Sequence, residues 1–108
     1  MSLNHEQLLF LVYGEEASEV AKEASKCIRF TPTHTHVDFV DSNYQRLLKE
    51  WNEQLAMMSL IKKHMREEYG IESDAAQERI WQRNKIKQFE KYAKISGEMG
   101  TYTKGQSK

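Results

Sequence analysis

The sequence predicts an all-α protein, an antiparallel helical bundle of three long helices completed by oligomerisation. Three observations carry this. Apolar residues recur at helical spacing over three long segments. The 108 residues contain one proline and five glycines, so few positions break a helix. The nearest thing to strand alternation, Val37-Asp38-Phe39-Val40, is too short to compete. Helices of about 25 residues with short connections favour antiparallel packing, and bundles of this kind build sites in their cores. A content of 39% hydrophobic and 30% charged residues suits a soluble helical chain.

The first helix is expected from about Asn4 to Ile28, closed by Phe30-Thr31-Pro32, because the residue before a proline is pushed away from helical geometry. Gly14 falls inside it and costs roughly 1 kcal/mol relative to alanine, so a kink or a close backbone approach is expected there. A polar loop, TPTHTHVDFVD, follows. Ser42 with Gln45 three residues on reads as a capping box opening the second helix, which continues to about Tyr69 and stops at Gly70. The third begins near Ser73 or Asp74, carries Ile80, Trp81, Ile86, Phe89, Tyr92 and Ile95, and is ended by Gly97. Residues 1–97 form one domain in this reading, and 98–108 a flexible basic tail.

Sixteen basic side chains balance sixteen acidic ones, which gives no reason to expect a nucleic-acid or membrane partner. The distribution is uneven: residues 1–78 hold eight basic and fourteen acidic side chains, and residues 79–108 hold eight and two. An acidic body suits divalent cations, and a basic carboxy-terminal third suits anionic oxygens such as those of a polyphosphate. A single cysteine, Cys27, excludes an intramolecular disulfide and fits a reducing compartment. With no apolar run near ~18 residues and no signal-peptide pattern, a soluble intracellular protein is expected.

The carboxylates raise the sharper question. Leu8, Leu9, Val12, Val20 and Cys27 fall on one broad face of the first helix, and the same arc takes in Glu16, Glu19 and Glu23, with Glu15 at its edge. On the second helix Tyr44, Leu47, Trp51, Leu55, Met58 and Met65 form one apolar face and Met57, Leu60 and Ile61 another, with Glu50 and Glu53 beside the second group. A solvent-facing ExxE is common, but two such pairs on interior faces of neighbouring helices are not. Converging carboxylates oppose one another's ionisation, and a divalent cation removes that cost. Oxygen ligands of this kind suit Mg²⁺, with Mn²⁺ possible.

These residues resemble the MazG-like all-α nucleoside triphosphate pyrophosphohydrolases, especially the small phage-associated members. Glu15-Glu16-Ala17-Ser18-Glu19 matches the family's EExxE, and Glu50-Trp51-Asn52-Glu53 resembles its ExxD with glutamate in place of the aspartate. Lys26-Cys27-Ile28-Arg29-Phe30 is similar to the K-x-x-R-F after the first motif, and Asn43-x-x-Arg46-Leu47 to the N-x-x-R-L before the second. Lys91-Tyr92, Ser96 and Gly100 resemble a terminal K-Y-x-x-x-S-x-x-x-G. The resemblance implies Mg²⁺-dependent cleavage of a nucleoside triphosphate between the α and β phosphates. It implies Glu16, Glu19, Glu50 and Glu53 as metal ligands and catalytic residues, with Glu15 supporting. Either Glu19 or Glu53 would orient the attacking water.

With that substrate in view, Lys26, Arg29, Lys85, Lys87, Lys91 and Tyr92 are candidate phosphate ligands, Lys91 foremost because the motif includes it. Trp51 or Tyr92 could stack on a base, although Trp51 suits a core. His34 and His36 form an H-x-H pair, but without a third ligand nearby they read better as part of a loop that folds over substrate. Cys27 reads as a small buried hydrophobe. The family, and a second helix apolar on two sides, point to a homodimer or dimer of dimers in the cytoplasm of a bacterial or phage-infected cell. The rival is a catalytically idle helical interaction protein that keeps the scaffold.

Overall fold

The computed structural model describes residues 2–37, 39–98 and 100, and among these it contains three helices and no strand. They are α1, His5–Phe30, α2, Asn43–Tyr69, and α3, Ala75–Glu98. None is long and apolar enough to cross a membrane. The chain divides into two units, 1–72 with α1 and α2, and 73–108 with α3.

Side chains set each boundary. Asn4 caps α1: its Oδ1 accepts from the Gln7 backbone N–H at 2.7 Å while Gln7 Oε1 accepts from the Asn4 N–H at 3.0 Å. α1 runs two residues past the expected end at Ile28. Thr31 then leaves helical geometry at φ 79°, a region β-branched residues rarely adopt. Its carbonyl is held there by the Asn43 side chain, which donates to it at 2.9 Å. The predicted capping box opens α2, with Gln45 N–H donating to Ser42 Oγ at 3.2 Å and Ser42 N–H to Gln45 Oε1 at 2.8 Å. Gly70 ends it in the left-handed region, at φ 66°. Asp74 accepts from the Gln77 N–H at 3.1 Å before α3. That helix passes through Gly97 to Glu98, a fray of the usual size at a helix end. Most of the tail expected over 98–108 lies outside the described residues.

Gly14 departs from expectation. α1 is helical throughout, and a Cβ built at Gly14 would meet no described atom within 4 Å, so no close approach among the described residues explains the glycine. Gly14→Ala should therefore stabilise the protein by about 0.5–1 kcal/mol through the entropy of the unfolded chain. Denaturant unfolding measures this, and a loss of stability would mean that something else packs against this stretch of helix.

α1 and α2 pair in opposite directions. Tyr13 meets Gln54, Glu23 meets Arg46 and Glu6 meets His64, so that as one number falls the other rises. The facing positions are Glu6, Leu9, Tyr13, Glu16, Val20, Glu23 and Cys27 on α1, and Asn43, Leu47, Glu50, Gln54, Met57, Ile61 and His64 on α2. Every one is buried or half-buried. Their steps alternate between three and four residues, the spacing that keeps one stripe of a helix against its partner. The α2 faces are thus sorted: Met57 and Ile61 turn to α1, while Tyr44, Trp51, Leu55 and Met58, expected on a core face, are exposed with Leu8 and Leu60.

Candidate metal centre

Among the polar levels of the seam between α1 and α2, two centre on glutamates seven residues apart on α1. At the first, Glu23 is 3% exposed, and its carboxylate accepts from Arg46 Nε at 3.2 Å and Nη2 at 3.3 Å, with Lys26 Nζ at 3.4 Å. Burial alone pushes the Glu23 pKa up. The hydrogen bond and charge of Arg46, joined by Lys26, outweigh it and leave the pKa below the ordinary carboxylate value.

At the second level no such cation stands among the described residues. Glu16 faces Glu50 and Glu53, and one oxygen from each of the three lies within 4.8 Å of the others. Glu16 Oε2 is buried with no hydrogen-bond partner. Burial raises the Glu50 pKa first, and a hydrogen bond with Glu53 and the charges of Glu53 and Glu16 raise it further, against a weaker opposing pull from Lys49. Lys49 reaches only the exposed edge, 3.8 Å from Glu53 Oε2. Among the described residues this is the one cluster of His, Cys, Asp and Glu with metal-ligand spacing.

Three carboxylates and one unpartnered buried oxygen suit a hard divalent cation, whose charge would satisfy the oxygen and relieve the repulsion. Scans against protein-family models, curated proteins and solved structures return no match.

A raised acid pKa has a definite sign. The Glu50 contribution to metal-free stability is present below its unfolded value, near 4.5, and is lost as pH rises through the raised folded value. The metal-free melting midpoint should carry a component that falls as pH climbs from 4.5, and this component should vanish in Glu50→Gln. An identical pH profile for both proteins would show that the carboxylates do not interact.

The remaining expected residues are scattered. Glu19 and Glu15 are exposed, and Glu19 is outside the cluster. Glu19 is three residues from Glu16, about 60° around the helix, whereas Glu23 is seven on and only about 20° away. The seam therefore takes Glu16 and Glu23 and leaves Glu19 on its flank. Lys26 is engaged by Glu23, and Arg29 lies 5.2 Å from the centroid of the Phe30 ring. Lys85, Lys87, Lys91 and Tyr92 are exposed on α3. There, Arg79, Arg83, Lys87, Lys91 and Lys94 follow one another at three- and four-residue steps as a basic stripe, while Lys85 lies on another face and donates to Gln88 at 3.4 Å.

His34 and His36 join no metal-ligating group among the described residues. Their loop is tied down: the Asn43 N–H donates to the His34 carbonyl at 2.9 Å, and the Tyr44 N–H to the Pro32 carbonyl at 2.9 Å. Cys27 is half-buried in the seam. Sequence reasoning missed Arg46 as the counter-charge of Glu23. The signal was there, since Glu23 shares the seam stripe with Glu16 and a buried glutamate requires a cation.

Proposed function

We propose that the chain is a Mg²⁺-dependent nucleoside triphosphate pyrophosphohydrolase, cleaving between the α and β phosphates to give a nucleoside monophosphate and pyrophosphate. The observation that carries this reading is the contrast between Glu23 and Glu16. One buried glutamate has its arginine. Glu16, half-buried one heptad away, faces two more carboxylates and keeps an oxygen without a partner. Stability alone would favour a lysine or arginine opposite Glu16, so the clustered charge is better explained by a ligand that supplies the cation.

Glu16, Glu50 and Glu53 would hold the metal, Glu19 is the fourth carboxylate that the motif resemblance implies, and Glu15 supports from the exposed side. Mg²⁺, when bound, neutralises phosphoryl oxygens and polarises the phosphorus for attack. Glu53 or Glu19, both open to solvent, orients a water toward the α phosphorus and takes its proton as the oxygen bridging α and β leaves with pyrophosphate. Within the 1–72 unit, Lys26 and Arg29 are the side chains available to balance the charge on the leaving group. Mn²⁺ suits the same ligands. A reducing, nucleotide-rich cytoplasm, bacterial or phage-infected, suits both the free Cys27 and a nucleotide-pool enzyme.

Exposed Tyr44, Trp51, Leu55 and Met58 support a homodimer or dimer of dimers that covers them and completes the helical bundle. The same face favours the second reading, a catalytically idle interaction protein, as does glutamate rather than aspartate at position 53. Thermal melting in Mg²⁺ separates the two. A cation bound only by the folded state adds about 2.7 kcal/mol at a hundredfold excess over its Kd, so the enzyme reading expects the midpoint to climb with Mg²⁺. A midpoint indifferent to Mg²⁺ and Mn²⁺ would leave the interaction reading.

A further inference from the structure

A second feature of the 1–72 unit is a pocket at the turn between α1 and α2. Lys26, Phe30, His34, His36, Phe39 and Asn43 line it. Four of the six are aromatic rings in two neighbouring pairs, Phe30 with His34 at 5.8 Å between centroids and His36 with Phe39 at 5.5 Å. Phe30 and Phe39 are nonetheless 49% and 44% exposed, so their rings do not serve to fill a core.

The pocket is built rather than loose. Phe30 is the last residue of α1. Phe39 carries the Arg46 guanidinium 3.9 Å from its ring centroid, and Arg46 is itself fixed by the buried Glu23. The Phe39 N–H donates to the His36 carbonyl at 2.9 Å, and Asn43 bonds both the Thr31 and His34 carbonyls. Exposed phenyl rings held open at this cost suit a flat ligand that stacks on them. Lys26 at the wall and Arg29 over Phe30 favour one that is also anionic.

Position along the helices suits an elongated anion. Lys26 is ten residues from Glu16 on α1, about 15 Å, and Asn43 is seven from Glu50 on α2, about 10 Å. Lys26 and Phe30 lie on the same flank of α1 as Glu19, beside the stripe that carries Glu16. The separation is comparable with the length of an extended nucleoside triphosphate.

We propose that this pocket receives the base of the nucleotide, stacked on Phe30 and Phe39, with the phosphates running past Lys26 to the carboxylates Glu16, Glu50 and Glu53. This inference rests on the pyrophosphohydrolase reading for the identity of the ligand. It makes the α1–α2 turn the determinant of base preference.

The test is a titration of the full chain in Mg²⁺ with α,β-methylene nucleoside triphosphates carrying each common base, which cannot be cleaved at the scissile bond, and with inorganic tripolyphosphate. At least one nucleotide should bind tenfold or more tighter than tripolyphosphate. Phe30→Ala should erase most of that advantage, at least fivefold, as expected for one lost base–aromatic stack, while leaving tripolyphosphate affinity unchanged. Phe30→Trp should restore it, and melting curves confirm that each variant is folded. Nucleotides that bind no better than tripolyphosphate would overturn the pocket assignment while sparing the metal site, as would a Phe30→Ala that weakens both ligands alike. Tripolyphosphate that fails to bind with Mg²⁺, while a nucleotide binds in a Phe30-dependent way, would keep the pocket and remove the metal-site reading instead.

Discussion

Glu16→Gln is expected to reduce Mg²⁺-dependent hydrolysis to background while leaving the metal-free protein as stable as the wild type or more so. Its carboxylate sits half-buried against Glu50 and Glu53, with one oxygen unpartnered and no ion pair of its own among the described residues, so neutralising it removes repulsion. Its loss should also let the raised Glu50 pKa relax toward the ordinary value, since Glu16 is one of the charges holding it up. A difference of two orders of magnitude or more in kcat/KM corresponds to about 2.7 kcal/mol of lost transition-state stabilisation, a modest demand for a residue proposed to hold the metal. Glu19→Gln should do less harm, because Glu19 stands on the exposed flank. A sharp drop in the metal-free midpoint of Glu16→Gln would show that Glu16 has a structural partner.

Arg46→Ala should have the opposite profile, a loss of about 2–3 kcal/mol that no metal restores. Removing one partner of a buried ion pair leaves the other charge stranded. The lower end of the usual range applies because Lys26 remains 3.4 Å from Glu23. The pH dependence follows from the depressed Glu23 pKa: its contribution is present above the unfolded value near 4.5 and lost as pH falls through the folded value. The penalty of Arg46→Ala should therefore be full at neutral pH, shrink as the solution is made acid, and vanish only below the depressed folded value of the wild type, where Glu23 is protonated in both proteins. Replacing both partners, as Glu23→Leu with Arg46→Met, should recover most of the stability, because a well-packed apolar pair avoids the desolvation cost altogether. A penalty that is unchanged down to pH 3 would mean that Arg46 acts through its contact with Phe39 and not through Glu23.

These opposite profiles bear on how much the sequence made legible. Helix number, the Ser42 capping box and the Gly70 stop are local signals, set by residues within one turn of each other, and the structure has them where the pattern placed them. Which side of each helix turns inward is not local. Tyr44, Trp51, Leu55 and Met58 satisfy helical periodicity as well as Met57 and Ile61 do, and only the pairing with α1 selects the second set. The carboxylates show the same limit. The sequence places Glu16, Glu19 and Glu23 on one arc, and a rotation of about 60° decides that Glu16 meets Glu50 while Glu19 meets solvent. The pairing of Glu23 with Arg46 joins residues 23 apart in the chain, and the pocket joins the end of α1 to the loop beyond it. Neither leaves a motif within a single segment.

The exposed apolar face of α2 keeps the interaction reading in play, but the two readings differ in chemistry and not in shape. Incubation of the protein with a panel of ribo- and deoxyribonucleoside triphosphates, with and without Mg²⁺, followed by separate assays for pyrophosphate and orthophosphate, addresses that difference most directly. The expected result is pyrophosphate and nucleoside monophosphate in equal amounts from at least one nucleotide, dependent on Mg²⁺ and absent in Glu16→Gln. No Mg²⁺-dependent pyrophosphate from any nucleotide, or orthophosphate as the product, would contradict it.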